Sequence, residues 1–335
     1  MRYIVFLIIS ELLFSNINIS GDGRFRTRFD IKENLHQNTN DLYHQYRARI
    51  NIKSNIGGDW FFKSKVGTNS VAGMTKIGDS EHNGPGNENS HRPNLSFLEL
   101  YFGRKTNGYG YWIGAYPLKS NPCLDLHYYP DKIVGIPWIL YNNSTITGFF
   151  AYFFLKENKI NTFISIDQNS TNKIEEFASS LDDIGVTNVK NDNYTIGLNT
   201  DIKKNNFVLS PYVLVSFGEG DQPYTAGIEL ELEKLFDIKT SISHYQTNNS
   251  DYNANHTRIK FNFPHINNKV NFFYDLALKN KKSASYLWLS YSFNIYDSDL
   301  GKLTISPTIR LQNGSFTEQD YSRSIFEVTT QIKFN

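Results

Sequence analysis

Cysteine is nearly absent from this 335-residue chain: Cys123 stands alone. A single thiol closes no internal disulfide and builds no cysteine-based zinc site. Long hydrophobic runs are also missing. Beyond the N-terminus no stretch of about 18 consecutive apolar residues occurs, which excludes a transmembrane helix there. Charge of one sign is not in excess either. The 34 Lys and Arg nearly balance 33 Asp and Glu, a formal net charge of +1 that points away from a nucleic-acid partner. Catalytic and metal signatures are lacking as well. Among the histidines, His91, His127, His244 and His256 show no ligand spacing, and neither a His-Glu-x-x-His pattern nor a nucleophile elbow occurs. The Gly-Pro-Gly at Gly84 to Gly86 sits in a loop-like stretch and is no phosphate cradle. These absences leave no catalytic residue, metal ligand or cofactor to assign.

What is abundant is aromatic surface. The chain has 25 Phe and 21 Tyr, yet its mean hydropathy is -0.45. Greasy rings and polar groups must therefore share the same segments. A barrel whose outside meets lipid and whose inside meets water reconciles them. The opening MRYIVFLIISELLFSNINIS starts with Arg2, continues in a short apolar core from Tyr3 to Ser10, and reaches small polar residues at Ser20. That is the pattern of a secretory leader over 1–20, leaving 21–335 as one domain. An exported chain without helical spans is either soluble or inserted as a closed barrel.

The remaining sequence repeats one motif, segments of alternating apolar and polar residues split by turn-rich stretches. In Tyr224 to Glu233, Tyr224, Ala226, Ile228, Leu230 and Leu232 share one face, and Thr225, Gly227, Glu229, Glu231 and Glu233 the other. A period of two is a strand's; a helix would spread the glutamates around its circumference. About 16 such segments begin near Gly23, Tyr43, Trp60, Ser96, Tyr111, Ile146, Ile160, Tyr194, Phe207, Tyr224, Phe236, Thr257, Val270, Leu287, Leu303 and Phe326. The fold class is thus all-β, a closed antiparallel transmembrane barrel. Pro211 and Pro307 lack a ladder donor, so each implies a bulge or a weakened pair. Connections alternate between a short set, such as Asn55 to Gly58 and Lys203 to Asn206, and a generally longer one. Short periplasmic turns and long extracellular loops are what membrane barrels show. Outward Trp60, Phe154, Phe207, Phe236, Phe293 and Phe334 fall beside the short turns, and Tyr46, Tyr194, Phe217, Tyr224 and Phe326 at the other ends. Two aromatic girdles are expected.

Two features bear on what the interior does. The third long loop, 117–145, carries Pro117, Pro122, Pro130 and Pro137, which stiffen it, and it is expected to fold into the lumen as a constriction. Lys119, Asp125, His127, Asp131 and Lys132 would be its polar members. Tyr128, Tyr129, Trp138 and Tyr141 could alternatively form a track for a sugar or an aromatic acid. The early strands point cations inward: Arg24, Arg26, Arg28, Arg47, Arg49, Lys53, Lys63 and Lys65, with Lys333 on the last strand. Packed like charges require water or acids, and Asp125 and Asp131 are expected to face them. Glu229, Glu231 and Glu233 form an acidic counter-patch further round the wall.

The stretches GRFRTRFDIKENL and HQYRARINIKSNIGGDWFFKSKVGTN resemble the first hairpin and third strand of epsilonproteobacterial major outer membrane proteins and related porins. The end IFEVTTQIKF is similar to their barrel-assembly signal, with Phe334 as the terminal aromatic, here followed by Asn335. Segmentation and the long third loop resemble the 16-stranded trimeric porins of Gram-negative outer membranes. This resemblance implies a homotrimer among outer-membrane lipids, inserted by the barrel assembly machinery, through which ions and small polar solutes diffuse. The alternatives are a substrate-specific channel, or a plugged barrel acting as an adhesin or membrane enzyme.

Overall fold

The computed structural model of the protein describes residues 17–34, 38–68, 74–77, 95–118, 122–130, 145–168, 193–218, 222–235, 238–265 and 268–316, and finally 319–335. The alternating segments pair in chain order as β1 (Ile17–Asn34), β2 (Asn38–Gly57), β3 (Trp60–Thr68), β4 (Thr75–Lys76), β5 (Leu95–Lys105) and β6 (Tyr109–Pro117). A short helix, α1 (Pro122–Tyr128), follows, and then β7 (Thr145–Leu155), β8 (Asn158–Gln168), β9 (Asn193–Lys204), β10 (Phe207–Gly218) and β11 (Tyr224–Leu235). The chain continues through β12 (Ile238–Asn248), β13 (Asn253–His265), β14 (Asn268–Lys279), β15 (Lys282–Ser298), β16 (Gly301–Phe316) and β17 (Gln319–Phe334). β4 joins β2 at Tyr46 and Gln45, beyond the last β3 pair at Arg49, so β3 and β4 are one interrupted stave. The wall therefore has 16 staves, all antiparallel. It closes where β1 pairs with both β2 and β17, from Gly21 opposite Phe334 to Asn34 opposite Tyr321. Closure leaves no sheet edge to lipid, the condition for a strand to cross a bilayer.

The period of two decides what faces where. Phe25, Phe29, Leu198, Val213, Val215, Ile228, Leu289, Phe326 and Val328 are exposed on the outside, while their neighbours Arg28, Asp30, Thr225, Ser290 and Glu327 are buried inside. Trp60, Phe154, Phe207, Phe293 and Phe334 are exposed near the short turns, and Phe217, Tyr224 and Phe326 toward the opposite mouth. Phe236 lies outside the described residues.

Turn chemistry matches the tight end. Asp59, Lys156 and Asn205 take positive φ of 67°, 57° and 30° in the short connections. Asn and Asp enter that region more readily than other residues with a Cβ.

One expectation needed adjustment, and one pair of alternatives is decided. The second connection set is long only in the first half of the chain, at 69–94, 118–144 and 169–192. In the second half 219–223, 249–252, 280–281 and 317–318 are short as well; at the last two, β15, β16 and β17 extend to Lys282, Phe316 and Gln319 and take up residues that a loop would otherwise hold. The prolines cause weakened pairs and not bulges. β9 and β10 skip the pairs between Leu209 opposite Ile202 and Tyr212 opposite Asn199, and β15 and β16 skip those between Ser290 opposite Thr308 and Phe293 opposite Ile305, with register kept across both gaps. Pro211 and Pro307 sit in those gaps, where their missing N–H breaks the ladder on one side only. β1 begins at Ile17, and Ile17–Ser20 pair with Ser54–Asn51 of β2.

Candidate pore lining and inner helix

Inside the seam of the barrel, arginines and carboxylates interlock. Asp22 on β1 accepts from Arg49 Nε at 2.7 Å and Arg47 Nη2 at 3.1 Å, with Arg24 Nε at 3.9 Å. Glu327 on β17 accepts from Arg28 Nε at 2.9 Å and Arg310 Nε at 3.1 Å, with Arg26 Nε at 3.6 Å. Asp30 takes a two-pronged contact from Arg323, Nε donating to Oδ1 at 2.8 Å and Nη2 to Oδ2 at 2.5 Å. Tyr43 links two of these groups: Arg28 Nη1 donates to its oxygen at 3.1 Å, and that hydroxyl donates to Asp30 at 3.2 Å. The forked guanidinium suits such shared carboxylates. Lys65 on β3 pairs with Glu99 on β5.

The strand register made this arrangement half legible. It places Arg24, Arg26, Arg28, Arg47 and Arg49 on the inner face, but as an ion-paired lattice, with Arg47 only 3% and Arg28 7% exposed, and not as an open solvated row. Sequence reasoning missed Asp22, Asp30, Glu327, Arg310 and Arg323, although each occupies an inward position of the same two-residue rhythm. Across β1, β2, β16 and β17, seven arginines (Arg24, Arg26, Arg28, Arg47, Arg49, Arg310 and Arg323) meet three carboxylates in these contacts, an excess of four positive charges.

The expected acidic counter-patch lies on β11. Glu229 stands between Ser210 and Ser243 in the ladder and Glu231 between Val208 and Ser241. The side chain of Glu233 lies outside the described residues. Three strands on, Asp275 of β14 accepts from Arg258 of β13 at 2.6 Å, with His256 Nε2 at 3.6 Å.

The loop expected to enter the lumen does so as α1. Its residues Pro122 to His127 are buried, and it lies against β11, β12 and β13. Cys123, Leu124 and Leu126 join an apolar cluster with inward Leu214, Tyr245, Ala254 and Tyr286. Hydrogen bonds fix the C-terminal end. His127 places Nδ1 2.7 Å from Thr225 Oγ1 on β11 and Nε2 2.8 Å from Ser216 Oγ on β10, while Tyr128 Oη is 2.7 Å from Ser165 Oγ on β8. Ser165 and Thr195 in turn donate to Asp167, at 2.6 Å and 2.5 Å.

This corrects one expectation. Asp125 sits on the helix against β11–β13, and among the described residues the seam arginines meet Asp22, Asp30 and Glu327, carried by the barrel's own strands. Lys119, Asp131, Lys132, Trp138 and Tyr141 lie outside the described residues. Tyr129 is exposed and Tyr128 half-buried.

Burial pushes His127 down to about 4, so it docks as a neutral imidazole. The sign follows from linkage: an undocked, water-exposed His127 binds a proton near 6.5, so docking is unpenalised above that pH and weakens progressively down to about 4. Amide hydrogen exchange over 122–128 is therefore expected to accelerate between pH 7 and pH 4.5. In His127→Gln the docked and undocked helix bind protons alike at this position, and that acceleration should shrink; an unchanged pH response in the variant would remove His127 from the effect.

No family model matches this chain, and neither does any curated protein. Solved structures do. The anion-selective porin from Comamonas acidovorans superposes with a TM-score of 0.58 at 10% identity, over 95% of this chain and 99% of that one. A mutant of the Rh. blastica porin gives 0.56 at 13% identity, over 95% and 100%. The fold is that of the outer-membrane porins. OmpT of Vibrio cholerae, in a structure described as its trimer form, gives 0.53 at 8% identity over 95% and 99%. Near-complete coverage in both directions means the porin fold accounts for the whole barrel; at such low identity the match concerns architecture alone.

Proposed function

We propose that this protein is a passive diffusion porin of the bacterial outer membrane, admitting ions and small hydrophilic solutes with a preference for anions. The inner charge arrangement carries this reading: seven arginines against three carboxylates at the seam. A low-dielectric wall with a net positive lining raises the local concentration of anions and repels cations. The Comamonas neighbour's description as anion-selective agrees with it. α1 supplies the constriction by standing in the lumen against β11–β13, across from the arginines.

The same reading includes a homotrimer held among outer-membrane lipids, in keeping with the trimer form of the Vibrio neighbour, and insertion by the barrel assembly machinery with Phe334 as the terminal aromatic. Purified protein added to a planar bilayer is expected to give stepwise conductance at low voltage. A silent bilayer under conditions where the protein is heat-modifiable, and so folded, would refute the channel.

A further inference from the structure

A second inner surface, further along β2 from the arginine lattice toward the short turns, has the makings of a binding site. At the short-turn mouth, Lys53 of β2, Lys63 of β3 and Lys105 of β5 surround a cavity of about 430 Å³ whose other walls include Phe61, Tyr101 and Trp112. Lys53 and Lys63 are direct cross-strand partners, an arrangement of like charges that destabilises a sheet unless an anion answers it. The carboxylate in this cavity, Asp59, is engaged with Arg104 at 3.7 Å, and the neighbouring Glu99 with Lys65. Lys63 Nζ stands 5.8 Å from the Tyr101 ring centroid, and Lys53 and Lys105 are exposed.

The aromatic wall is preorganised. Phe61 and Tyr101 meet edge-on at 5.9 Å, Phe61 and Trp112 at 6.2 Å, and Trp112 is stacked on Phe150 at 4.2 Å. Space for it comes from Gly103, paired with both Phe61 and Trp112, where a Cβ would collide with the backbone of β6. The buried indole Nε1 of Trp112 has no hydrogen-bond partner among the described residues.

We infer that this lysine-flanked aromatic cavity binds organic anions with a flat apolar body, of the aromatic carboxylate class: the carboxylate between the lysines, the ring against Phe61, Tyr101 and Trp112. Three cations without a ring, or a ring without cations, would select differently. Together they favour a ligand carrying both features over a simple inorganic anion or a neutral aromatic. The inference deepens the channel reading, on which it rests only for the route by which the anion arrives.

The test is calorimetric titration of the full-length protein in detergent with sodium benzoate, sodium acetate and benzyl alcohol. Benzoate is expected to bind at least about ten-fold more tightly than either of the others, and Lys53→Met/Lys63→Met to weaken benzoate by at least about ten-fold. Lys105→Met serves as an independent variant should the double one fail to fold, judged by heat-modifiable mobility, and it too should weaken benzoate. Equal binding of acetate and benzoate, no benzoate binding, or full affinity retained in the folded variants would overturn the site. Binding with a silent bilayer would refute the channel and keep the site; conductance without benzoate binding would do the reverse.

Discussion

Replacing Glu327 with alanine should prevent the barrel from reaching or holding its closed state. Glu327 is 4% exposed and gathers Arg26, Arg28 and Arg310 from two neighbouring strands. Arg310 is itself 3% exposed. Deleting one member of a buried charged group leaves the others desolvated and uncompensated, a loss of about 3–5 kcal/mol. Against a total stability of about 5–15 kcal/mol, that is a large share. Detergent-refolded Glu327→Ala should migrate as unfolded protein on unheated gels, or unfold at a much lower urea concentration than the parent. Glu327→Gln keeps the shape and some acceptors but not the charge, and it should fall between the two. A variant with parental stability would show that water satisfies the arginines and that the lattice is not a structural centre.

Exchanging Arg47 and Arg49 together for glutamine should move the reversal potential under a salt gradient toward cations. Both belong to the Asp22 cluster, and their removal leaves Arg24 beside that carboxylate. The excess of four positive charges then falls to two. Two unit charges about 10 Å from a permeant ion in water contribute roughly 0.8 kcal/mol, opposite in sign for anion and cation, which makes about a sixteen-fold change in the anion-to-cation permeability ratio. Salt near 0.1 M screens over a similar distance, so the change should be largest at about 0.01 M. Arg47→Lys/Arg49→Lys keeps the charge and should keep the selectivity, separating electrostatics from shape. No displacement in the glutamine variant at low salt would remove these residues from the ion path.

Much of the barrel was readable from the period of two. Segment starts at Trp60, Phe207 and Tyr224 coincide with strand starts, because an outward ring opens each of those strands. β15 and β17 begin earlier than Leu287 and Phe326 because the outward residues before those points are polar, Ser283 and Ser285 on β15 and Ser322 and Ser324 on β17: backbone pairing continues there without an outer apolar stripe to announce it. The helix was not legible. PCLDLHY holds neither a length nor a pattern that makes a helix on its own; its folding depends on the apolar cluster with Leu214, Tyr245 and Tyr286 and on the hydroxyls of Ser216 and Thr225, residues distant in sequence. Inward arginines were visible one strand at a time, whereas their acids were not. Asp22 and Glu327 become partners of those arginines only once β1 is flanked by β2 on one side and β17 on the other, a relation that no local pattern contains.

The pairing of β1 with β17 also sets a timetable. β1 finds its second neighbour only in β17, with partners such as Asp30 and Arg323 293 positions apart. Contacts of that span close the largest possible loop and form late and slowly. Until the C-terminus is delivered, every partial sheet has a raw margin ready to join a stranger's strand. The seam between β1 and β17 is therefore the place where a folding chain stays open longest to misjoining.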